Sequence, residues 1–508
     1  MQGTSDLNPE LLDAMAMCGH LVARDSVYWF LAEHRQRLFP DDLFADLFGS
    51  GRGRPSVPAD VVATVMVLQA LDDLSDRDAV AQLRTNIAWK VAAGRSLADE
   101  GFHSTVLTLW RNRLRVSDRP QRIFDAVREV IDTTNILAGK TRRALDSTVL
   151  DDAVTRQDAI MQLVAQIRRV RRLIPTARAL ELVAHDYDGD AGKPACAWND
   201  RADIDRVVTE LVTDALTVLA ALERVALDDA QAEAVGLLAL VAGQDVEPGD
   251  TDGTWRIAQE TRPDRIVSVH DPESRHAHKT SSNYRDGFKA HIGVEPDTGL
   301  ITACELTAGN VGDAQAAPAL LAGESEPVEV LADSAYGSGE FRQHLDDHGH
   351  TATIKPIPLK PAVADGFTID DFIIDLTART VSCPNGITTV ISIRGHATFG
   401  AKCRGCPLRE RCTNSLAGRK IKLNEHHELL AAARAHARTP EFIEPYRQHR
   451  PMVERSIAWL IRRGGRKVRY RGINRNKIGF AHRCAAVNLR RLINLGLDHG
   501  PQGWTITN

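Results

Sequence analysis

Three acidic residues, far apart in the sequence, are of the types that could do chemistry together. Asp333 sits in "VEVLADSAYGSGEF", where an apolar β-type run, Val328 to Leu331 with Glu329 inside it, delivers a carboxylate into a Ser-Ala-Tyr-Gly turn. Asp146 follows Leu145 in "KTRRALDSTVL", a second short strand pattern. Adjacent parallel strands end side by side, and α/β sheets bind ligands at those carboxyl ends. Two carboxylates meeting there repel unless a cation lies between them. Mg²⁺ suits that place, because it is held by a few carboxylates while keeping waters and phosphate oxygens. A third acid, from a helix packed alongside, would complete a two-metal pocket. Glu454 in "RPMVERSIAWLIRR" is the candidate, since its turn is otherwise cationic, with Arg450 and Arg455. The acids alone imply metal-dependent phosphoryl transfer and nothing narrower. Read singly, Asp333 is also a turn-capping Asp. Glu454 is also a surface carboxylate paired with an Arg, and Glu441, Glu444, Glu425 and Glu428 compete with it.

The cations form a second pattern. Across 508 residues the net charge is −4, which by itself argues against a polyanionic partner. The distribution argues the other way. From Arg455 to Leu497 there is no Asp or Glu, while Arg455, Arg462, Arg463, Arg466, Lys467, Arg469 and Arg471 crowd one stretch, and Arg475, Lys477, Arg483, Arg490 and Arg491 extend it. Such a surface repels itself unless a polyanion or neighbouring acids compensate it. With Trp459 and Tyr470 interleaved, it reads as a DNA or RNA contact, against the plainer reading of a solvated face. Lys289, with Lys279 and Lys355, falls near the inferred strand ends and would neutralise phosphates there unless simply solvated. Tyr336 either contacts nucleic acid or closes its turn.

The cysteines fall into two sets. Cys383, Cys403, Cys406 and Cys412 are spaced C-x19-C-x2-C-x5-C, and the Cys403/Cys406 pair has the ligand spacing of zinc ribbons and knuckles. Four thiolates suit one closed tetrahedral Zn²⁺, which would stabilise a segment too small and polar to fold alone. The alternative is four reduced thiols in a loop-rich insertion, or a redox pair; His396 is a substitute ligand. Cys18, Cys196, Cys304 and Cys484 are scattered in the way of ordinary buried residues. Eight cysteines in so long a chain are too sparse for a disulfide scaffold, which points to a reducing cytoplasm. The leading "MQGTSDLNPE" lacks the basic-then-apolar pattern of a secretion signal, and no apolar run approaches a membrane span.

Positioning these groups takes several elements, and 508 residues exceed one ordinary core. Residues 1–135 read as helical. Pro58 suits the first turn of "ADVVATVMVLQALDDL", and Ser75 with Asp78 is a capping pattern. "HSTVLTLWRNRLR" ends in Arg111, Arg113 and Arg115, so these helices suit a helix-turn-helix reader of DNA or a small bundle with a charged face. From 151 to 250 the helical period returns as an insertion, read as an antiparallel hairpin. Strands resume at "DRIVSVHD", and "GFKAHIGVEPDTGLITACELT" is a hairpin turning at Pro296-Asp297-Thr298-Gly299. Strand, hairpin, helix, strand, helix, strand describes a mixed α/β sheet. Residues 360–430 interrupt it with the cysteine-rich segment, and beyond 439 the chain is helical again.

The quoted acid and turn motifs, with "GFKAHIGVEPDTGLITACELTAGNVGDA" and "HRPMVERSIAWLIRRGGRKVRYRG", resemble bacterial insertion-sequence transposases. Those enzymes use an Asp/Asp/Glu (DDE) triad on a ribonuclease-H-like fold. "DLFGSGRGRPSVPADVVATVMVLQALDDLSDRDAVAQL" is similar to their leading helical domain. By position, the resemblance makes Asp146, Asp333 and Glu454 the triad. It implies a 1–135 DNA-binding domain and a 136–500 ribonuclease-H-like catalytic domain, split by the 151–250 and 360–430 insertions. Tyr446 stands one residue off the family's common spacing, and Arg462 or Arg463 stands where Lys is usual.

The resemblance implies an enzyme that cuts an element's ends and joins them to target DNA, using two Mg²⁺ (or Mn²⁺) ions. Its partners would be double-stranded DNA, as terminal inverted repeats and target, and a second copy of the chain on that DNA. It would work in the bacterial cytoplasm at the nucleoid, with no membrane. A DNA-binding protein with a decayed nuclease and a stand-alone metal-dependent nuclease are the competing expectations.

Overall fold

The computed structural model describes residues 1–5, 12–49, 53–260, 262, 264–278 and 284–507. Lys279 lies outside the described residues. Local signals set the leading helices. Ser26 caps α1 (Val27–Leu38) by accepting from the Trp29 N–H, and Pro58 stands just ahead of α2 (Ala59–Asp72). The Ser75 hydroxyl accepts from the Asp78 N–H at 3.2 Å and opens α3 (Asp76–Thr85). Helices α4 (Thr105–Val116) and α5 (Arg122–Thr133) complete this part. α2 is apolar nearly all round and is buried from Ala59 to Gln69, as a helix without a polar face must be.

The sheet begins with β1 (Arg142–Asp151) and resumes after the insertion with β2 (Arg275–His278), β3 (Tyr284–Val294) and β4 (Ile301–Ala308). Next come α9 (Asp313–Leu321), β5 (Glu329–Ala332), α10 (Gly339–Asp347) and β6 (Thr351–Ile354). Helices α6 (Ala159–Leu173), α7 (Arg201–Leu222) and α8 (Asp229–Gln244) belong to the insertion, and α11 (Pro440–Ile461) and α12 (Ile473–Asn494) close the fold. The strand order is β2-β3-β1-β5-β6, with β4 beside β2 on the outer edge of β3. β1 runs antiparallel to β3 and parallel to β5, and β5 runs parallel to β6. This is the mixed α/β sheet the sequence implies. The β3–β4 turn is held by the buried Glu295, whose carboxylate accepts from the N–H groups of Asp297 and Thr298 at 3.0 and 2.8 Å. Gly299 there has φ +78°, a conformation that suits glycine.

Alternation along β1 assigns its two faces. Ala144 and Leu150 join one core with the leading helices, α11 and α12, while Leu145 joins a separate core with α9 and α10. α12 is tied to the sheet through the fully buried Asn488. Its side chain accepts from the Ile301 N–H and donates to the Ile301 C=O, both at 2.8 Å.

The insertion differs from a two-helix hairpin. Its three long helices share a core of their own. "DRIVSVHD" forms no strand either: only Ile266 makes a bridge, to Arg275. Glutamine side chains take the backbone bonds a neighbouring strand would have made. Gln244 accepts from the Ile266 N–H and, with Gln162, donates to its C=O, and Gln157 accepts from the Val269 N–H. The cysteine-rich segment has a small core of its own beneath three-residue strands. Among the described residues no helix is long and apolar enough to cross a membrane.

Candidate active site

Asp146 does not end a strand. It lies in the middle of β1, because β3 pairs with that strand on to Asp151, while β5 accompanies only Arg142 to Ala144. The parallel register pairs Ala144 with Leu331, so two residues further along Asp146 comes level with Asp333, where β5 has ended. Asp333 turns the chain: its Oδ1 accepts from the Ala335 N–H at 2.9 Å, the capping role open to it from the sequence. That bond leaves its second oxygen for other partners.

The third acid reaches the pair through an arginine. Arg450 on α11 places Nη2 3.1 Å from Asp146 Oδ1 and Nη1 3.3 Å from Oδ2, joining residues 304 apart in sequence. The same Nη1 lies 3.8 Å from Glu454 Oε1, one helical turn on. Arg450 is buried and Glu454 is exposed, so the helix feeds a cation inward and holds a carboxylate at the rim. Among the described residues, the only three acid or imidazole groups whose ligand atoms all lie within 4.8 Å are Glu340, Glu425 and His426. The Asp146, Asp333 and Glu454 oxygens do not close to that distance; a guanidinium lies between Asp146 and Glu454 instead. The donors are all hard carboxylate oxygens, which fit Mg²⁺ or Mn²⁺. Arg450 Nε is buried without a partner, so its present seat is not a saturated one.

Burial pushes the Asp146 carboxyl up, opposed by Arg450 and the Ser147 N–H and reinforced by Asp333. Burial also works against the Arg450 charge, but Asp146, with Tyr446 and Asp333, outweighs it and the guanidinium holds its proton more tightly than usual. Tyr446, one turn before Arg450, is raised by burial and lies within the field of Arg450, Asp333 and Glu454. Lys355, just past β6, sits 4.7 Å from the centre of its ring.

Behind the acids is a group the sequence reading did not single out. Asp313, in the first turn of α9, accepts from the Ser147 hydroxyl at 2.8 Å and lies 3.3 Å from Lys289 Nζ. The buried His291 donates to or accepts from Thr307 Oγ1 at 2.9 Å. Tyr336 is fully buried, so it closes its turn; burial, then Asp313, Asp146 and Asp333, push its hydroxyl well up. The signal was an Asp opening a helix straight after the hairpin, in "GNVGDA". Lys289 pairs across from Val149, on the face of β1 opposite Asp146, and also donates to Val311 O at 2.7 Å.

The basic stretch is partly consumed inside the chain. Arg463 meets Asp72, and Arg469 and Arg483 meet Asp73, at 3.3, 2.9 and 2.7 Å. Those acids end α2, so the stretch clamps the leading helices to α12. Arg466 donates to Thr148 Oγ1 and Val149 O, and Tyr470 is largely buried beneath Arg111. Arg455, Arg462, Lys467 and Arg471 are exposed and ion-pair with no acid among the described residues. Arg462 and Arg490 flank the exposed Trp459 ring at 4.4 and 4.8 Å. The leading arginines are also engaged: Arg111 is buried against Asp76, and Arg113 covers Phe48.

Cys383, Cys403, Cys406 and Cys412 line one cavity of about 20 Å³. No three of their sulfurs lie within 4.8 Å of one another, and His396 is not in that lining.

Comparison with family models matches residues 250–489 to the Transposase DDE domain and residues 21–113 to a Transposase domain (DUF772). No curated protein and no solved structure matches the chain. The DDE match spans β2 to α12 and so contains Asp333 and Glu454; β1 with Asp146 lies ahead of the helical insertion and is joined to it by sheet pairing. With the leading helices and the sheet both matched to transposase domains, the chain belongs to the insertion-sequence DDE transposases, enzymes that act as DNA polynucleotidyl transferases and endonucleases.

Proposed function

We propose that Asp146, Asp333 and Glu454 are the DDE triad, that they hold two Mg²⁺ or Mn²⁺ ions, and that this site cuts the element's terminal inverted repeats and joins them to target DNA. The observation that carries this reading is the Arg450 guanidinium, which links a β1 carboxylate to an α11 carboxylate beside the end of β5. A positive charge already sits between two of the three acids. Bound ions would supply an activated water and charge stabilisation at the departing 3′ oxygen. Arg450 would then be released to a phosphate, which a planar guanidinium grips in two places. Arg455, Arg462, Lys467 and Arg471 would carry the DNA backbone past the site; Arg463, Arg466 and Arg469 would act indirectly, by holding that surface in place. Lys289 would act from behind, by holding Asp313. Paired-end cutting calls for a homodimer on DNA, and the expected place of work is the bacterial cytoplasm, at the nucleoid.

The test is incubation of the full chain with terminal-repeat DNA and Mg²⁺, beside Asp333→Asn, which keeps the turn cap. Joined strands from the wild type and bound, unprocessed DNA from the variant are expected. Cut but never joined strands would leave a nuclease, and bound DNA alone from the wild type would leave a decayed enzyme. The mass of the DNA complex, by light scattering, reads the dimer.

A further inference from the structure

The cysteine-rich lobe has too little apolar core to explain its order. Its longest strands, Ile373–Asp375, Thr380–Ser382 and Thr388–Val390 in one sheet and His396–Thr398 with Lys420–Lys422 in another, have three residues each. Ile373, Val390, Ile393 and Leu416 are 72 to 100% exposed, so much of the apolar side-chain area never reaches the core. Segments this small are marginal on their core alone, and disulfides or a bound metal are common staples for them. All the cysteines are free thiols, so a covalent staple is absent and a metal is the staple their grouping suits.

Local backbone turns set the four cysteines around one cavity. Cys383 follows the second strand into a turn closed by the Gly386 N–H, which donates to Cys383 O at 2.8 Å. Cys403 and Cys406 enclose a second turn, where the Cys406 N–H donates to Cys403 O at 3.4 Å. Each turn needs a left-handed residue and has a glycine there, Gly386 at φ +76° and Gly405 at φ +70°. A Cβ would meet nothing at either position, so backbone conformation alone calls for glycine. Cys412 ends the short helix Arg409–Cys412 and completes the set. The shared cavity of about 20 Å³ has room for one small ion or water.

A second, independent observation concerns charge. Arg419 is 9% exposed and lines the same cavity, and its Nε is buried without a partner. Its main-chain N–H donates to Cys403 Sγ at 3.4 Å, and its Nη1 donates to Cys412 O at 3.2 Å. A buried guanidinium with no carboxylate beside neutral thiols is costly. Beside four thiolates around a dication, a cluster of charge −2, it is compensated.

We propose that Cys383, Cys403, Cys406 and Cys412 bind one structural Zn²⁺ that staples this lobe. Binding replaces four S–H bonds by four Zn–S bonds and releases up to four protons to solvent; no electron moves. The sulfurs stand wider than Zn–S bonds of about 2.3 Å require, so binding would draw them together. Arg419 is a positioning residue, balancing the cluster's charge.

The test uses full-length protein purified without a metal-affinity step, with metal content read by mass spectrometry. About one zinc per chain is expected in the wild type and in Cys18→Ser/Cys196→Ser, and none in Cys403→Ser/Cys406→Ser. Cobalt substitution should give the visible absorption of a tetrahedral thiolate site in the first two and not in the third. In case the double variant misfolds, the wild type is stripped with a strong chelator. Cleavage by protease within residues 366–424 should then appear, reversed by Zn²⁺ and not by Mg²⁺. A zinc-free wild type that takes up no zinc or cobalt, zinc retained by the double variant, iron with sulfide, or a Cys403–Cys406 disulfide would each overturn the proposal. None of these readouts involves DNA, so they stand apart from the transposase chemistry.

Discussion

Replacing Arg450 by alanine isolates the electrostatics of the site. The Asp146 side chain is 16% exposed and that of Arg450 5%, so solvent screens this pair little. Breaking a buried pair at one partner costs about 3–5 kcal/mol, because the other charge is left buried alone. Glu454, 65% exposed, adds almost nothing to that sum. The stranded carboxyl has one escape, which is to take up a proton. Burial already pushes its pKa up, and Arg450 is the chief group holding it down. A carboxyl whose folded pKa lies above its unfolded value weighs against the fold, with a penalty that grows as pH rises from the unfolded pKa to the folded one and is complete above it. The loss in Arg450→Ala should therefore be smallest in acid and reach its full size near neutrality. In an Asp146→Asn background Arg450 is itself the charge left buried alone, so the same substitution should change stability by no more than about 1 kcal/mol. Urea denaturation of the four proteins at several pH values, followed by tryptophan fluorescence, measures this cycle. Equal costs in both backgrounds, or a cost indifferent to pH, would show that Arg450 does not govern Asp146.

Glu454→Gln should leave DNA binding intact and slow strand cleavage by about 10³-fold, the scale of losing a stabiliser of transition-state charge; a filter-binding and cleavage pair checks both. Divalent-ion affinity, followed by Mn²⁺ resonance, should fall as pH drops through the raised pKa of Asp146, because ion and proton compete for one carboxylate. Asn488→Ala strands the Ile301 N–H and C=O in a fully buried place and should cost about 2–4 kcal/mol in thermal unfolding. Asp73→Ala should loosen the leading helices by about 3 kcal/mol, since that 9% exposed carboxylate receives both Arg469 and Arg483. Asp73→Gly relieves the φ of +52° yet loses the same pairs, so limited proteolysis of the two variants separates charge from backbone strain.

What the sequence shows well is whatever a short window dictates. Ser75 and its helix, the Pro296 to Gly299 turn, and the apolar run that ends before Asp333 are all local events, and each is visible in a few residues. The mixed sheet follows from their order. What stays hidden depends on partners brought from afar. "DRIVSVHD" has a strand's composition, but Gln157, Gln162 and Gln244 occupy its backbone, and nothing near residue 266 announces them. The stretch from Arg455 to Leu497 has no acid of its own, so its charge looks wholly outward. Asp72 and Asp73, nearly 400 residues earlier, take three of its arginines. The position of Asp146 within its strand was hidden for the same reason, since β3, not β1, decides how far pairing continues.

The sheet also gives a reason for where the two insertions fall. β1, β5 and β6 run in one direction and end toward the same side of the sheet, β1 continuing to Asp151 beyond the level of Asp146 and Asp333. Asp333 follows β5 on that side, and Lys355 follows β6 there, above Tyr446 on the helix that carries Glu454. The helical insertion leaves from the end of β1, and the cysteine-rich lobe leaves from the end of β6. In the sequence they separate the acids by long intervals and look like interruptions. In the fold they extend the edge at which open α/β sheets bind their ligands, so length added there changes what the site can hold without disturbing the pairing that aligns Asp146 with Asp333.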